Sequence, residues 1–425
     1  MALPSGPAIG ADIYQALADK YGSPLYVYDG PTLTGALHEL TEALHPAVEV
    51  FYSLKANPNI SLVALLAAHG ARAEVSSLVE LETALRAGVP PENIIFLGPG
   101  KKPEELLACV TAGIYAVVAE SFDELAELNQ LCVEQGKRQQ VLIRINPHTP
   151  GAGSRLSMGG KARQFGIDEE QVLAAGRLPE RYRALSLIGV HVYLGTRILD
   201  SSAVVRNTTR IFDLAERVAA ATGIHLDAVD VGGGMGVAYF DNEEDPDLAL
   251  LHEGMYPLIE EFRQRHPSTR LLFESGRYLV ARSGVYVVGV RYVKDSMGLR
   301  FAVTDGGTHH HMAAVGVGSV TRRNFPIRHL TRPTEPDAGQ WQLTGPLCTP
   351  NDTIGKDVTL PDLRSGDLLG VLRSGAYGPT ASPGLFLSHG FPAEVLVHEG
   401  ETYLIRDRDR TEDLLRKQHH HKFTA

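Results

Sequence analysis

The sequence predicts a closed (β/α)8 barrel joined to a second, mostly β domain, and three observations carry that expectation. Short apolar strands recur eight times between Val48 and Glu274, separated by segments with helical periodicity. Reactive residue types fall at or just after the C-terminal ends of those strands, where a barrel assembles its site. After Arg282 the helical periodicity stops and strand patterns continue alone. A chain of 425 residues exceeds a usual single domain. The expected barrel is therefore 31–282, with 1–30 and 283–425 forming the β domain. A doubly wound open sheet is the competing architecture.

In order, Ile13 to Tyr21 reads as a short helix, and Leu25 to Tyr28 as a strand closed by Asp29-Gly30 and able to pair with the C-terminal strands. The eight barrel strands are read at Val48 to Lys55, Arg72 to Val75, Ile94 to Leu97, Tyr115 to Ala119, Val141 to Ile145, Leu187 to Val192, Ala228 to Val231 and Leu271 to Glu274. Between them, apolar residues at helical spacing (Leu62-Leu65-Leu66, Leu78-Leu81-Leu85) precede the stops Gly70, Gly88, Gly136 and Gly223. The long segments after the fifth and seventh strands fit the count least well. The later strands are read at Val285 to Val293, Phe301 to Thr304, Leu368 to Leu372, Glu394 to Val397 and Thr402 to Ile405. Arg332 to Gly339 reads as a polar loop, and the tail beyond Leu415 as frayed.

Composition excludes several classes. Hydrophobic residues at 44% supply a core, and no apolar run reaches the roughly 18 residues of a membrane span. The N-terminus has neither the basic region nor the apolar core of a signal peptide, so a cytoplasmic location is expected. A net charge of −10 disfavours nonspecific nucleic-acid binding. Cys109, Cys132 and Cys348 are scattered and odd in number, which suits reduced thiols rather than a disulfide framework.

Lys55 is the candidate chemical centre. A lysine at the mouth of an apolar strand is partly desolvated, which favours the neutral amine that attacks a carbonyl to form a Schiff base; taken alone, a lysine so placed is more often an ordinary strand-end residue. Gly232-Gly233-Gly234 follow a buried strand, where backbone N–H groups can approach a phosphate. The run matches neither the dinucleotide fingerprint nor a P-loop, and as a turn alone it would need no ligand. Glu274 and Arg277 place a carboxylate and a permanent cation at the last strand's end. If the ligand is a pyridine cofactor, that carboxylate keeps the ring nitrogen protonated. Lysine, glycine cradle and carboxylate together specify pyridoxal 5'-phosphate. Cys348 lies in a loop of the β domain, and Tyr377 in the turn Gly375-Ala376-Tyr377-Gly378 could hydrogen-bond a phosphate. His309-His310-His311 does not suggest a metal site, because adjacent side chains of an extended segment diverge.

On these residues the chain resembles the fold-type III pyridoxal-phosphate decarboxylases of diaminopimelate, ornithine and arginine, with an alanine-racemase-like architecture, over nearly its whole length. Phe51 to Asn57 is similar to the family's cofactor-lysine motif, Gly232-Gly233-Gly234 to its phosphate glycines, and Glu274-Ser275-Gly276-Arg277 to its Glu-Pro-Gly-Arg. The resemblance implies that Glu274 contacts the pyridine nitrogen, and that Gly276, Arg277 and Tyr377 lie near the phosphate. It also implies that the Gly345-Pro346-Leu347-Cys348 loop enters the site of a second subunit, in a homodimer with two shared sites. Cys348 is the candidate donor that reprotonates the α-carbon after CO2 leaves.

The departures point to one branch. Where the family stacks a histidine on the cofactor ring, this chain has Tyr193, with His191 two residues earlier. After the loop cysteine the family has an acid for the distal amine, and here it is Thr349. With Gly98 to Lys102, Arg163 to Gly166, Asp305 to His311 and Gly355 to Val358, these resemble the L-glutamyl-[acyl-carrier-protein] decarboxylase of butirosin biosynthesis and its relatives. That implies an amino-acid thioester as substrate and an acyl carrier protein as partner, with Arg322, Arg323 and Arg328 as a candidate basic docking patch. The alternatives are a free amino-acid decarboxylase such as that of diaminopimelate, a racemase, or a catalytically silent cofactor-binding regulator.

Overall fold

The computed structural model describes residues 7, 9–153, 156–157, 160, 162–315 and 323–423. These fall into two compact units, one of the described residues within 34–238 and 243–279, the other of those within 1–33, 239–242 and 280–425.

The chain opens with the helix Ala11–Tyr21 and the strand β1 (Leu25–Asp29) of the second unit. In the first unit the barrel strands are β2 (Val48–Ser53), β3 (Arg72–Val75), β4 (Ile94–Phe96), β5 (Ala116–Ala119) and β6 (Gln139–Asn146). Three two-residue strands, β7 (Leu156–Ser157), β8 (Ile167–Asp168) and β10 (Gly195–Thr196), lie among the later barrel strands β9 (Leu185–His191), β11 (Ala228–Gly233) and β12 (Arg270–Ser275). Every barrel neighbour is parallel, and β12 pairs with β2, which closes the ring. An open sheet is thereby ruled out. Inside lie Phe51, Ile95, Val118, Leu142, Ile188 and Leu272, with Tyr115 against them. Burial on both faces explains why these strands read as continuous apolar runs rather than alternating ones.

Several of the helices between them begin on side-chain caps. Ser77 accepts from the Glu80 N–H, Ser121 from Glu124 and Asp200 from Ser202. They end where expected: Gly70, Gly88, Gly136 and Gly223 all have positive φ, from 60° to 95°. After β6, residues 147–184 hold β7, β8 and two short helices, Glu169–Leu173 and Leu178–Arg181. After β11, a loop precedes the helix Leu248–Arg265.

In the second unit follow β13 (Gly284–Ser296), β14 (Leu299–Thr304), β15 (Ile327–His329), β16 (Gly339–Thr344), β17 (Thr353–Leu360), β18 (Leu368–Val371), β19 (Ala393–His398) and β20 (Glu401–Arg406). The N-terminal β1 lies between β13, antiparallel, and β19, parallel. Tyr14, Leu25, Val27, Val285, Val287 and Val395 share its core. Three strands escaped the sequence reading. β15 is only three residues long, and the β16–β17 ladder is broken by register shifts. The polar loop from Arg332 is not loosely held, since Arg332 reaches both Glu335 and Asp367. Among the described residues no helix is long and apolar enough to cross a membrane.

Candidate active site

The strand β2 ends at Ser53, and Lys55 stands two residues further, in the 3-10 turn Leu54–Ala56. The expected strand was thus two residues too long, and the turn is what points the lysine out of the ladder. Its Nζ is 3.1 and 2.9 Å from the two oxygens of Glu74 on β3, while the Ser76 hydroxyl donates to the same carboxylate. The Lys55 side chain is 39% exposed and that of Glu74 is fully enclosed, so the amine faces the opening and the carboxylate anchors it from beneath. The Tyr193 ring lies 5.7 Å from Nζ, beside the lysine. Gly276 backs the turn: a Cβ there would come within 3.0 Å of Ala56 and 3.1 Å of Ser53.

Three barrel strands deliver a second cluster. His191 ends β9, Asp230 lies in β11 and Glu274 in β12, all buried, with one nitrogen or oxygen of each within 4.8 Å of the others. His191 Nε2 is 2.9 Å from Glu274 Oε1. Asp230 accepts the Gly232 N–H at 2.8 Å. Glu274 Oε2, Asp230 Oδ2 and His191 Nδ1 are buried without a hydrogen-bond partner. The two acids titrate in opposite directions. Burial and the neighbouring Glu274 push Asp230 well above the ordinary carboxylate range. Burial also opposes charge on Glu274, yet His191, Lys55 and Arg144 bring it below its ordinary value.

The glycines after β11 have a steric cause of their own. A Cβ on Gly232, Gly233 or Gly234 would strike the Val192, Glu274 or Gly195 carbonyl oxygen, and the β11–β12 register shifts between Asp230 and Gly233. Arg277 opens the short helix Arg277–Val280 just past β12. Arg144 in β6 is buried against Glu120 at 2.7 Å and under the Phe165 ring, and Glu120 also accepts the Gly166 N–H.

The other sequence candidates lie in the second unit. Cys348 is exposed and, like Cys109 and Cys132, a free thiol. Its loop is held by Asp352, 2% exposed, which accepts from the Leu347 N–H and from both the N–H and hydroxyl of Thr308. Tyr377 has φ +54°, a left-handed conformation uncommon for a tyrosine, in a turn beside the buried Arg373 at φ +56°. The histidine run lies in a turn rather than an extended segment: the His309 and His310 rings are 3.8 Å apart, His310 meets the Tyr286 hydroxyl and the Gly390 carbonyl, and His311 meets Ser374. Arg323 donates to Asn242 and Arg328 is exposed on β15; Arg322 lies outside the described residues.

Sequence reasoning singled out His191 as a cofactor-binding candidate but missed Glu74, Asp352 and the clustering of His191 and Asp230 with Glu274. Glu74 sits in an apolar strand, where a lone carboxylate is the available signal, since buried acids need a partner.

A lysine at the C-terminal mouth of a closed barrel, and the buried Glu274 with an unpartnered oxygen within that lysine's electrostatic reach, suit a barrel enzyme of the pyridoxal-phosphate class that captures a carbonyl. Residues 32–281 match the family described as pyridoxal-dependent decarboxylase, pyridoxal binding domain, and the chain belongs to that family. It is 39% identical over 95% of both chains to the L-glutamyl-[BtrI acyl-carrier protein] decarboxylase of Niallia circulans. It is 30% identical to the diaminopimelate decarboxylase of Zymomonas mobilis over 95% of this chain and 94% of that one. The diaminopimelate decarboxylase of Helicobacter pylori, solved with L-lysine, superposes with a TM-score of 0.85 at 29% identity, covering 95% of this chain and 98% of that one. The protein is accordingly a pyridoxal-phosphate-dependent decarboxylase.

Proposed function

We propose that the protein removes the α-carboxylate of an amino acid held as a thioester on an acyl carrier protein, a glutamyl thioester first among them. The observation that carries this reading is the 39% identity, over 95% of both chains, to a decarboxylase named for that substrate. Thr349 after Cys348 agrees with it, since a thioester brings no distal ammonium in need of an acid.

The residues of the site fit the cofactor. Glu274 Oε2, buried without a partner, offers an acceptor to a protonated ring nitrogen. Lys55 would bind the aldehyde carbon and Tyr193 would lie against the ring. Gly232, Gly233, Gly234, Gly276, Arg277 and Tyr377 would hold the phosphate. When bound, pyridoxal phosphate accepts the electrons left on the α-carbon as CO2 departs. The chain's own part is to orient that carboxylate and to return a proton. Glu74 would hold the Lys55 amine whenever it is free of the cofactor, as it does in this structure. Cys348 Sγ is the proposed donor to the α-carbon, and being exposed it regains its proton from solvent. We place Cys348 in sites shared across a homodimer. We place the enzyme in the cytoplasm, which its three free cysteines suit.

The test is CO2 release by the loaded enzyme across a panel. A carrier-bound glutamyl thioester should exceed free glutamate, diaminopimelate, lysine and ornithine by about a hundredfold in kcat/KM. Efficient turnover of a free amino acid with no preference for a carrier-bound form would leave an ordinary amino-acid decarboxylase.

A further inference from the structure

His191, Asp230 and Glu274 form a buried polar cluster with exposures of 0%, 0% and 1%, and it holds two acids against one imidazole. Two carboxyls this close and this buried do not both ionise readily, so something must decide which one carries the charge. The hydrogen bonds make the decision. Glu274 has the imidazole at 2.9 Å on Oε1, whereas Asp230 has the neutral Gly232 N–H. The other charges acting on the pair are Lys55 and Arg144 on Glu274, and Glu74 and Lys55 on Asp230.

We propose that His191 is a positioning residue: by holding Glu274 Oε1 it makes Glu274, and not Asp230, the anion of the pair, and leaves Oε2 available to the cofactor's pyridine nitrogen. His191 then reaches the cofactor only through Glu274, and Asp230 is a neutral acid whose Oδ1 shapes the Gly232 turn. This inference rests on the proposed roles of Lys55 and Glu274.

The test is a double-mutant cycle on the full-length chain, read as the dissociation constant for pyridoxal phosphate. His191→Phe should weaken cofactor binding about tenfold or more in the parent, yet cost less than about twofold in a Glu274→Gln background, because its effect passes through that carboxylate. His191→Gln, which keeps a donor, should recover most of the loss. Asp230→Asn, which copies the neutral acid, should stay within about threefold of the parent. Additive losses in the cycle, or an Asp230→Asn defect as large as that of Glu274→Gln, overturn the inference. Circular dichroism and melting of each variant separate weakened binding from misfolding. Failure of the underlying reading looks different: borohydride would then fix no cofactor to Lys55 of the parent chain.

Discussion

Lys55 Nζ lies 2.9 and 3.1 Å from the two oxygens of Glu74, a carboxylate with no exposed side-chain surface of its own. The amine and its anchor are therefore one unit, and removing the first leaves the second as an enclosed charge without its closest cation. Lys55→Ala should abolish the cofactor that borohydride fixes to the chain. It should also melt lower than Lys55→Ala/Glu74→Gln, by an amount equivalent to about 1 kcal/mol, since the lysine end of the pair is partly solvated. Equal melting of the two variants, or fixation on another lysine, would count against the pairing.

Glu80 lies behind that pair. Burial, offset in part by the Ser76 N–H, raises its carboxyl to about 7. A folded carboxyl that holds its proton more tightly than the unfolded one stabilises the fold less as pH rises from its ordinary 4.5 to about 7. Glu80→Gln should thus be near neutral at pH 4.5 and stabilising at pH 8, by on the order of 1–2 kcal/mol. Thermal unfolding at the two pH values checks the sign; equal effects at both would show that Glu80 titrates normally.

A shared site makes a further prediction. Mixed Lys55→Ala and Cys348→Ala subunits, each inactive alone, should regain about a quarter of parental activity after full exchange, because half the molecules are heterodimers and each holds one intact site. No recovery despite exchange verified by mass would place Cys348 and Lys55 of one chain in the same site, or neither in catalysis.

Carrier docking is open to a charge test. Arg323 and Lys356 line a cleft of about 410 Å³ in the second unit with Phe240 and Asn242, alongside the acids Asp241 and Asp357. Arg323→Glu should lower kcat/KM for the carrier-bound substrate about tenfold at low salt, and flatten its salt dependence, while cofactor binding is untouched. An unchanged salt profile would move the docking face elsewhere.

The barrel was legible because its strands are buried on both faces and its helices on one, which writes two distinct periods into the chain. Lys55 and Glu274 were legible because strand ends are marked by turn residues. Glu74 was not: nineteen residues from Lys55, it meets that lysine only because β2 and β3 are neighbours in the ring. Asp230 and His191 were in plain view as strand residues. Their coupling to Glu274 depends on adjacent positions in three strands, a distance in space with no counterpart along the chain. Asp352 is similar, since its partner Thr308 is 44 residues upstream. In the β domain, short strands and register shifts erased the alternation that would have revealed β15 to β17.

The placement of β1 sets the order in which the protein can mature. Leu25 to Asp29 precede the whole barrel in sequence, yet both of their partner strands, β13 and β19, follow it. The barrel's strands, by contrast, mostly pair with near neighbours in sequence and can be assembled progressively. During translation β1 must therefore wait as an unpaired apolar strand, Leu-Tyr-Val-Tyr, until about 255 further codons have been read and β13 begins to emerge. Such a segment is a natural client for a chaperone that grips nascent chains, and stalled or truncated products that stop short of β19 should aggregate through it.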